Sequence, residues 1–341
     1  MRVATIDSGT TNLRVYVASG AGEVLAKATR SVGVRDTSRT GSKDVLRDAV
    51  VEAFEEARAA ADVGDGSIDE VVASGMITSE IGLMELPHLW APAGKAELAA
   101  GMERVEDETV LPIGRPVYFV RGIKNRYNPA TAGPLDARRL DFMRGEEAQI
   151  MGLLERADVA PPIIAVVLSS HTKFVPVDAE GRILGGVTTI SGQVFEAVRS
   201  ETVLGKSVAG CSEVPPPDAY GGLVHAAYEW SRAAGMLRGL FITRFLDTLL
   251  ETSVAERRLY LETVVAAEDL KVVSELEYLG FPAVRRLVLI GSPPRVHLYK
   301  YLLETELDMT GRIMTITDDT DVDRLSILGA IALLREAGVV S

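Results

Sequence analysis

Residues 6–17 read Ile-Asp-Ser-Gly-Thr-Thr-Asn-Leu-Arg-Val-Tyr-Val, and the fold turns on how this stretch is taken. An apolar run, Val3-Ala4-Thr5-Ile6, stops at an aspartate and gives way to small hydroxyl and amide residues around Gly9. It resumes as the alternating Leu13-Arg14-Val15-Tyr16-Val17. Alternation of period two marks strands, and glycine among short polar residues marks the turn between them. The turn can be a plain hairpin. It can also be a phosphate loop, because backbone N–H groups converge on an anion only where side chains are small. In that second reading Asp7 stands at the strand end and holds Mg2+ directly or through water. Ser8, Gly9, Thr10, Thr11 and Asn12 then face the phosphate oxygens, and Arg14 adds positive charge.

Working outward, Gly20-Ala21-Gly22 turns the chain into a third strand over residues 23–29, completing an antiparallel meander. Residues 44–61 place Val45, Leu46, Ala49, Val50, Ala53, Phe54 and Ala57 at helical spacing, with Ser42 or Asp44 as the cap. A buried strand over residues 70–73 then ends in Ser74-Gly75-Met76. The same plan recurs from residue 163. A buried strand meets Ser169-Ser170-His171-Thr172-Lys173, an alternating strand follows, and Gly181-Arg182-Ile183-Leu184 falls against Gly22-Glu23-Val24-Leu25. Helical patterns cover residues 219–234, 237–250 and 256–265. Strand 287–290 then runs into Gly291-Ser292-Pro293-Pro294, followed by helix 296–304, strand 312–316 and helix 323–337. Repetition of a whole supersecondary plan points to an internal duplication. The expected fold is α/β: a duplicated actin-like ATPase (ribonuclease H-like) architecture, with two domains, 1–145 and 146–341, flanking a nucleotide cleft. The first is expected on the substrate side and the second on the nucleotide side.

Composition narrows the function. At 341 residues the chain is about twice the usual domain length. A net charge of −12 argues against a general nucleic-acid binder and against an anionic membrane surface. One cysteine, Cys211, excludes an intrachain disulfide and a cysteine zinc site, and four histidines make a His-rich metal centre a poor expectation. There is no signal-like amino terminus and no apolar run of about 18 residues, so the cytoplasm is the expected compartment. Neither GxxxxGK[ST] nor a GxGxxG after the first strand is present, which disfavours a P-loop or a Rossmann site.

Arg144-Gly145-Glu146-Glu147 opens a helix before the second meander. A kinase acting on an alcohol needs a carboxylate to orient the hydroxyl and accept its proton, and Glu146, with Glu147 behind it, is the candidate. His171 suits a donor to phosphate. Two basic stretches in this acidic chain, around Arg35 and over Arg121, Lys124 and Arg126, are either solvated surface or the hand that grips a substrate carboxylate.

Taken together, IDSGTTNLRVYV, GVRDTSRTGS, ASGMITSEIGLMELPHLWAPAG, VRGIKN, DFMRGEEAQIMGL, SSHTKFVPVD, TTISGQVF and LVLIGSPP resemble the 2-dehydro-3-deoxygalactonokinase family of sugar-acid kinases over nearly the whole chain. The resemblance implies an actin-like ATPase fold and transfer of phosphate from ATP, with Mg2+, to the 6-hydroxyl of 2-dehydro-3-deoxy-D-galactonate. It implies a second phosphate loop at Ser170, His171, Thr172 and Lys173, an adenosine-side loop at Gly291 and Ser292, and Glu146 near the base position. Arg35, Ser74, Gly75, Met76, Arg121, Lys124 and Arg144 would face the sugar acid. A kinase for another sugar acid, such as 2-dehydro-3-deoxygluconate, and a non-catalytic nucleotide-dependent sensor are the alternatives. The partners implied are the sugar acid and ATP, with no nucleic acid and no membrane; a homodimer is compatible.

Overall fold

Valine, isoleucine and alanine crowd the first strand so densely that it is buried on both faces, as a central strand flanked by helices must be. A computed structural model describes this chain over residues 1–62, 68–211, 213–283 and 286–340. It divides into two compact units. The first comprises Met1–Pro162, Val177–Gly186 and Thr320–Ser341, and the second Ile163–Pro176 and Val187–Asp319.

The first unit begins with β1 (Arg2–Ser8), β2 (Leu13–Ser19), β3 (Val24–Arg30), α1 (Val34–Thr40) and α2 (Asp44–Ala60). It continues through β4 (Glu70–Gly75), β5 (Leu89–Trp90), α3 (Lys95–Ala100), β6 (Glu103–Val105), β7 (Val117–Phe119), β8 (Ile123–Lys124), β9 (Phe142–Met143) and α4 (Glu146–Leu154). Six strands form a sheet in the order β3-β2-β1-β4-β7-β6. The meander β1–β2–β3 is antiparallel, and β4 adds in parallel with Asp7 opposite Ser74 and Ser8 opposite Gly75. The α2 stripe Leu46, Val50, Ala53, Phe54 and Ala57 packs into this core, as its spacing predicts, whereas Val45 in the first turn is exposed. A second, three-stranded sheet, β5-β8-β9, was not predicted: strands of two residues carry no periodicity to read.

The second unit holds β10 (Ile163–Leu168), β11 (Thr172–Val177), β12 (Val187–Thr189), α5 (Ser191–Glu201), α6 (Gly205–Val208), α7 (Gly221–Ala234), α8 (Met236–Thr248) and α9 (Val254–Asp269). It is completed by α10 (Val272–Tyr278), β13 (Leu287–Gly291), α11 (Pro293–Thr305) and β14 (Ile313–Ile316). Its sheet runs β12-β11-β10-β13-β14. The three central helices fall where the sequence places them, and Ser253 with Glu256 caps α9. The second meander departs from the first. Ile183 is drawn off into the first unit, exchanging backbone bonds of 2.8 and 3.0 Å with Ala93, and Asn125 holds Gly186 through its side chain. The third strand therefore starts late, at Val187.

The last helix, α12 (Asp319–Glu336), returns to the first unit. It crosses α4 at two glycines: a Cβ on Gly329 would lie 1.8 Å from the Ala148 carbonyl, and one on Gly152 1.8 Å from the Leu325 carbonyl. At the other end Asp323 pairs with Lys27, and Arg324 and Arg335 reach the carbonyls of the turn after β2. Among the described residues, no helix is long and apolar enough to cross a membrane. Replacing Gly152 or Gly329 by alanine is expected to cost about 3 kcal/mol, because backbone carbonyls cannot yield as side chains do. Gly222→Ala, where a methyl meets nothing within 4 Å, is expected to leave stability unchanged or slightly raised; thermal unfolding of the three variants checks this.

Candidate active site

The end of β1, the end of β4 and the start of α4 meet in the first unit. Gly75 has φ +87° and Gly145 φ +105°, and a Cβ on Gly145 would lie 3.3 Å from the Gly75 Cα. On the other side, a Cβ on Gly75 would sit 2.5 Å from the Ser8 carbonyl and 3.4 Å from Asp7 Oδ1. Asp7 is half-buried and pairs with Arg14 at 3.3 Å. Burial pushes its carboxyl above the usual range, Arg14 opposes that, and Asp323 adds to it. Asp323 also accepts a hydrogen bond from Tyr16, and together with burial this raises the phenol.

After Asp7 the loop closes with Gly9 N–H donating to the Asn12 carbonyl at 2.8 Å, and α1 docks on it through Val34 and Arg35, whose N–H groups donate to the Gly9 and Thr10 carbonyls. With those carbonyls occupied, the N–H groups of Thr10, Thr11 and Asn12 donate to no acceptor among the described residues. Ser8 points the other way: it is fully buried, and Oγ has no hydrogen-bond partner among the described residues.

Glu146 is the first residue of α4 and Glu147 is fully buried behind it. Both Glu147 oxygens accept from Gly145 N–H, at 2.8 and 2.9 Å. Burial, with the Glu146 charge adding, pushes its carboxyl up to about 8. Arg144 is committed to Thr78 Oγ1 at 2.7 Å and the Leu86 carbonyl at 2.6 Å, and Thr78 in turn donates to the Gly75 carbonyl. Ser74 is buried and Met76 begins a short 3-10 turn beside it. Arg121 pairs with Glu103 at 3.5 Å. Arg35 lies on α1 next to the first loop. Lys124 lies on the three-stranded sheet, opposite Phe142 of β9.

The second loop is braced by side chains rather than glycine. Arg295, a residue sequence reasoning missed, donates to the Ser169 carbonyl, to Thr172 Oγ1 at 2.8 Å and to Ser191 Oγ at 2.6 Å. Ser169 Oγ donates to the His171 carbonyl, and Ser170 Oγ lies 3.4 Å from His171 Nδ1. Burial and the neighbouring Lys173 lower His171 from its ordinary value, so the imidazole is neutral at pH 7. Lys173 itself donates to Thr188 Oγ1 on β12 at 3.0 Å. Beside this loop lies a cavity of about 370 Å³ lined by Ser170, Gly192, Phe195, Arg258, Ser292 and Arg295. Gly291 ends β13, one residue before Ser292. The signal for Arg295 was its place in Gly-Ser-Pro-Pro-Arg, one turn into the helix after the strand. Among the described residues no cluster of three or more His, Cys, Asp or Glu side chains could hold a metal ion.

Two meander-and-helix units of this kind define the duplicated actin-like ATPase fold. The activator of 2-hydroxyisocaproyl-CoA dehydratase from Clostridium difficile, solved with bound ADPNP, shares it with a TM-score of 0.53 at 13% identity, over 99% of this chain and 96% of that one. Within this class the chain belongs to the 2-keto-3-deoxy-galactonokinase family, whose model it matches over residues 7–321. A protein named "Probable 2-dehydro-3-deoxygalactonokinase" from Rhizobium meliloti (strain 1021) is 25% identical over 304 residues, 89% of each chain. The solved structure of a protein assigned to the same activity, from Sinorhizobium meliloti, aligns with a TM-score of 0.72 at 23% identity over 98% of each chain.

The Glu147 shift has a sign that can be checked. The folded state holds this proton more tightly than the unfolded chain, so its contribution to stability is present below the ordinary glutamate range and is lost as pH rises toward about 8. The thermal midpoint of the wild type is therefore expected to fall between pH 5 and pH 9 relative to Glu147→Gln, which keeps an acceptor for Gly145 and cannot ionise. Parallel melting curves of the two proteins would show the difference growing with pH.

Proposed function

We propose that this protein is an ATP-dependent kinase that phosphorylates the 6-hydroxyl of 2-dehydro-3-deoxy-D-galactonate. Membership of the galactonokinase family supports the reaction. The meeting of Asp7, Gly75 and the glutamate-bearing start of α4 is the observation that carries the assignment of roles. Phosphoryl transfer to an alcohol needs little covalent help from the protein, so catalysis rests on orienting the hydroxyl and on stabilising phosphate charge. Glu146 is the group that orients the hydroxyl and takes its proton. Glu147 has both oxygens on Gly145 and serves to hold the turn that aims its neighbour.

The N–H groups of Thr10, Thr11 and Asn12 fit phosphate oxygens, with Arg14 beside them. In the second unit, Ser170, His171 and Thr172 offer a second set of donors, with Lys173 behind. The cavity lined by Ser292, next to Gly291, fits a nucleoside, with Arg258 above the Phe195 ring at 4.6 Å as a flat cationic wall. Mg2+ is held in such sites by one or two carboxylates, waters and substrate phosphates, and Asp7 fits that donor set. When bound, the ion neutralises charge on the phosphates. The first unit, which carries α4 and Glu146 as well as the 1–145 stretch, is the substrate side on this reading and the second unit the nucleotide side, with Ser74, Gly75 and Met76 forming the floor beneath the sugar acid.

ADP release with 2-dehydro-3-deoxy-galactonate, its gluconate epimer and neutral hexoses tests the reading. Turnover is expected with the galactonate derivative, and equal background with every compound would sink it. Asp7→Asn is expected to abolish turnover. Glu146→Gln is expected to lower kcat by roughly 10²–10⁴-fold while KM for ATP changes little; full activity in that variant would move the base elsewhere.

A further inference from the structure

The three-stranded sheet of the first unit has an outer face that the core does not use. Pairing sets Trp90 opposite Lys124 and Lys124 opposite Phe142, while Ile123 and Met143 turn inward and are buried. Trp90 is 36% exposed and Phe142 60%. Lys124 Nζ lies 3.9 Å from the centre of the Trp90 ring and 5.7 Å from that of Tyr127, and these two rings meet edge to face at 4.9 Å. Among the described residues no carboxylate pairs with Lys124, whereas Arg121 is taken by Glu103 and Arg144 by Thr78 and Leu86. In a chain of net charge −12, Lys124 is an ammonium held against aromatic faces, and an anion brought to it displaces no paired carboxylate.

The ledge is continuous with the candidate site. The His88 ring stands 5.3 Å from Phe142, and its Nδ1 is 3.4 Å from Arg144 Nη2. Arg144 immediately precedes Gly145 and the start of α4. Phe142, which pairs with Lys124, lies on β9, and that strand ends at Met143, three residues before Glu146. Indole and phenol faces accept C–H groups, and the O–H···π contact they offer a hydroxyl is weaker than the water hydrogen bond it replaces, so an OH buried there is poorly compensated. A 2-dehydro-3-deoxy acid carries a bare methylene two carbons from its carboxylate.

We propose that Lys124, Trp90 and Tyr127 form the subsite that holds the carboxylate of the sugar acid and reads the methylene at C3, so that acids with a hydroxyl there are rejected. This rests on the kinase reading above. Steady-state ADP release with the intact protein, using 2-dehydro-3-deoxy-galactonate and its 3-hydroxy counterpart, tests it. Lys124→Met is expected to raise KM for the deoxy acid by about 10–100-fold, with kcat and KM for ATP within about twofold. Trp90→Leu is expected to reduce the preference for the deoxy acid by roughly tenfold, and Trp90→Phe, which keeps an aromatic face, to retain most of it. An unchanged KM for the acid in Lys124→Met, or an equal rise in KM for ATP, overturns the proposal. Calorimetric titration of the acid without ATP separates the two readings. Binding to the wild type that is lost in Lys124→Met supports the ledge even if no phosphate is transferred. Equal binding in both proteins, or none in either, overturns it.

Discussion

Contact between Gly75 and Gly145 is the constraint on which the first unit depends. Here the backbone at the end of a central strand touches the backbone at the start of a helix, both in conformations that side chains resist. A methyl group on Gly145 would press on the Gly75 Cα at the end of β4, and one on Gly75 would wedge against the Ser8 carbonyl of the strand that carries Asp7. The contact is enforced from two sides. Glu147 ties down the Gly145 N–H with both oxygens, and α12 presses on α4 through the paired glycines one and two turns further along. A buried glutamate is a poor choice for stability alone. Its presence makes sense as the cost of fixing a turn that must not drift.

The two polar loops reach similar ends by different means. In the first, a glycine and the docked amino end of α1 take up the carbonyls and leave N–H groups outward. The second lacks the glycine, and Arg295 supplies from a distant helix what the missing glycine would have allowed locally. Behind Arg295, Asp269 accepts from Tyr299 and Thr189, so the brace is itself braced. Because Arg295 also lines the neighbouring cavity, whatever occupies that cavity touches the residue that shapes the loop.

Much of this was legible in the sequence wherever periodicity was long enough to speak. The buried strands ending at Asp7, Gly75 and Gly291, the helix stripe of Leu46 to Ala57 and the three central helices all announce themselves by spacing. The loop at Asp7 was legible through residue size. What escaped was tertiary in origin. Two-residue strands such as Leu89–Trp90 have no pattern, so the ledge they form could not be seen, although Lys124 stood out by charge. Arg295 lies 126 residues from the carbonyl it holds. Ile183 matched the first repeat in sequence, yet backbone bonding to Ala93 took it out of the second sheet. Side-chain direction was equally hidden: Ser8 turns into the core, and Lys173 turns toward Thr188.

The path of the chain carries a consequence for its synthesis. The first unit contains residues 177–186 and 320–341 as well as the amino-terminal stretch. Its first sheet can pair early from local hairpins, but α4 has no partner for Gly152 until Gly329 has been made. Emerging from the ribosome, the amino-terminal segment would thus hold an unfinished core through the making of more than half the protein. Contacts of such long sequence separation are slow to close and expose apolar surface while they wait. A fragment ending near residue 162 would lack the helix against which α4 is packed.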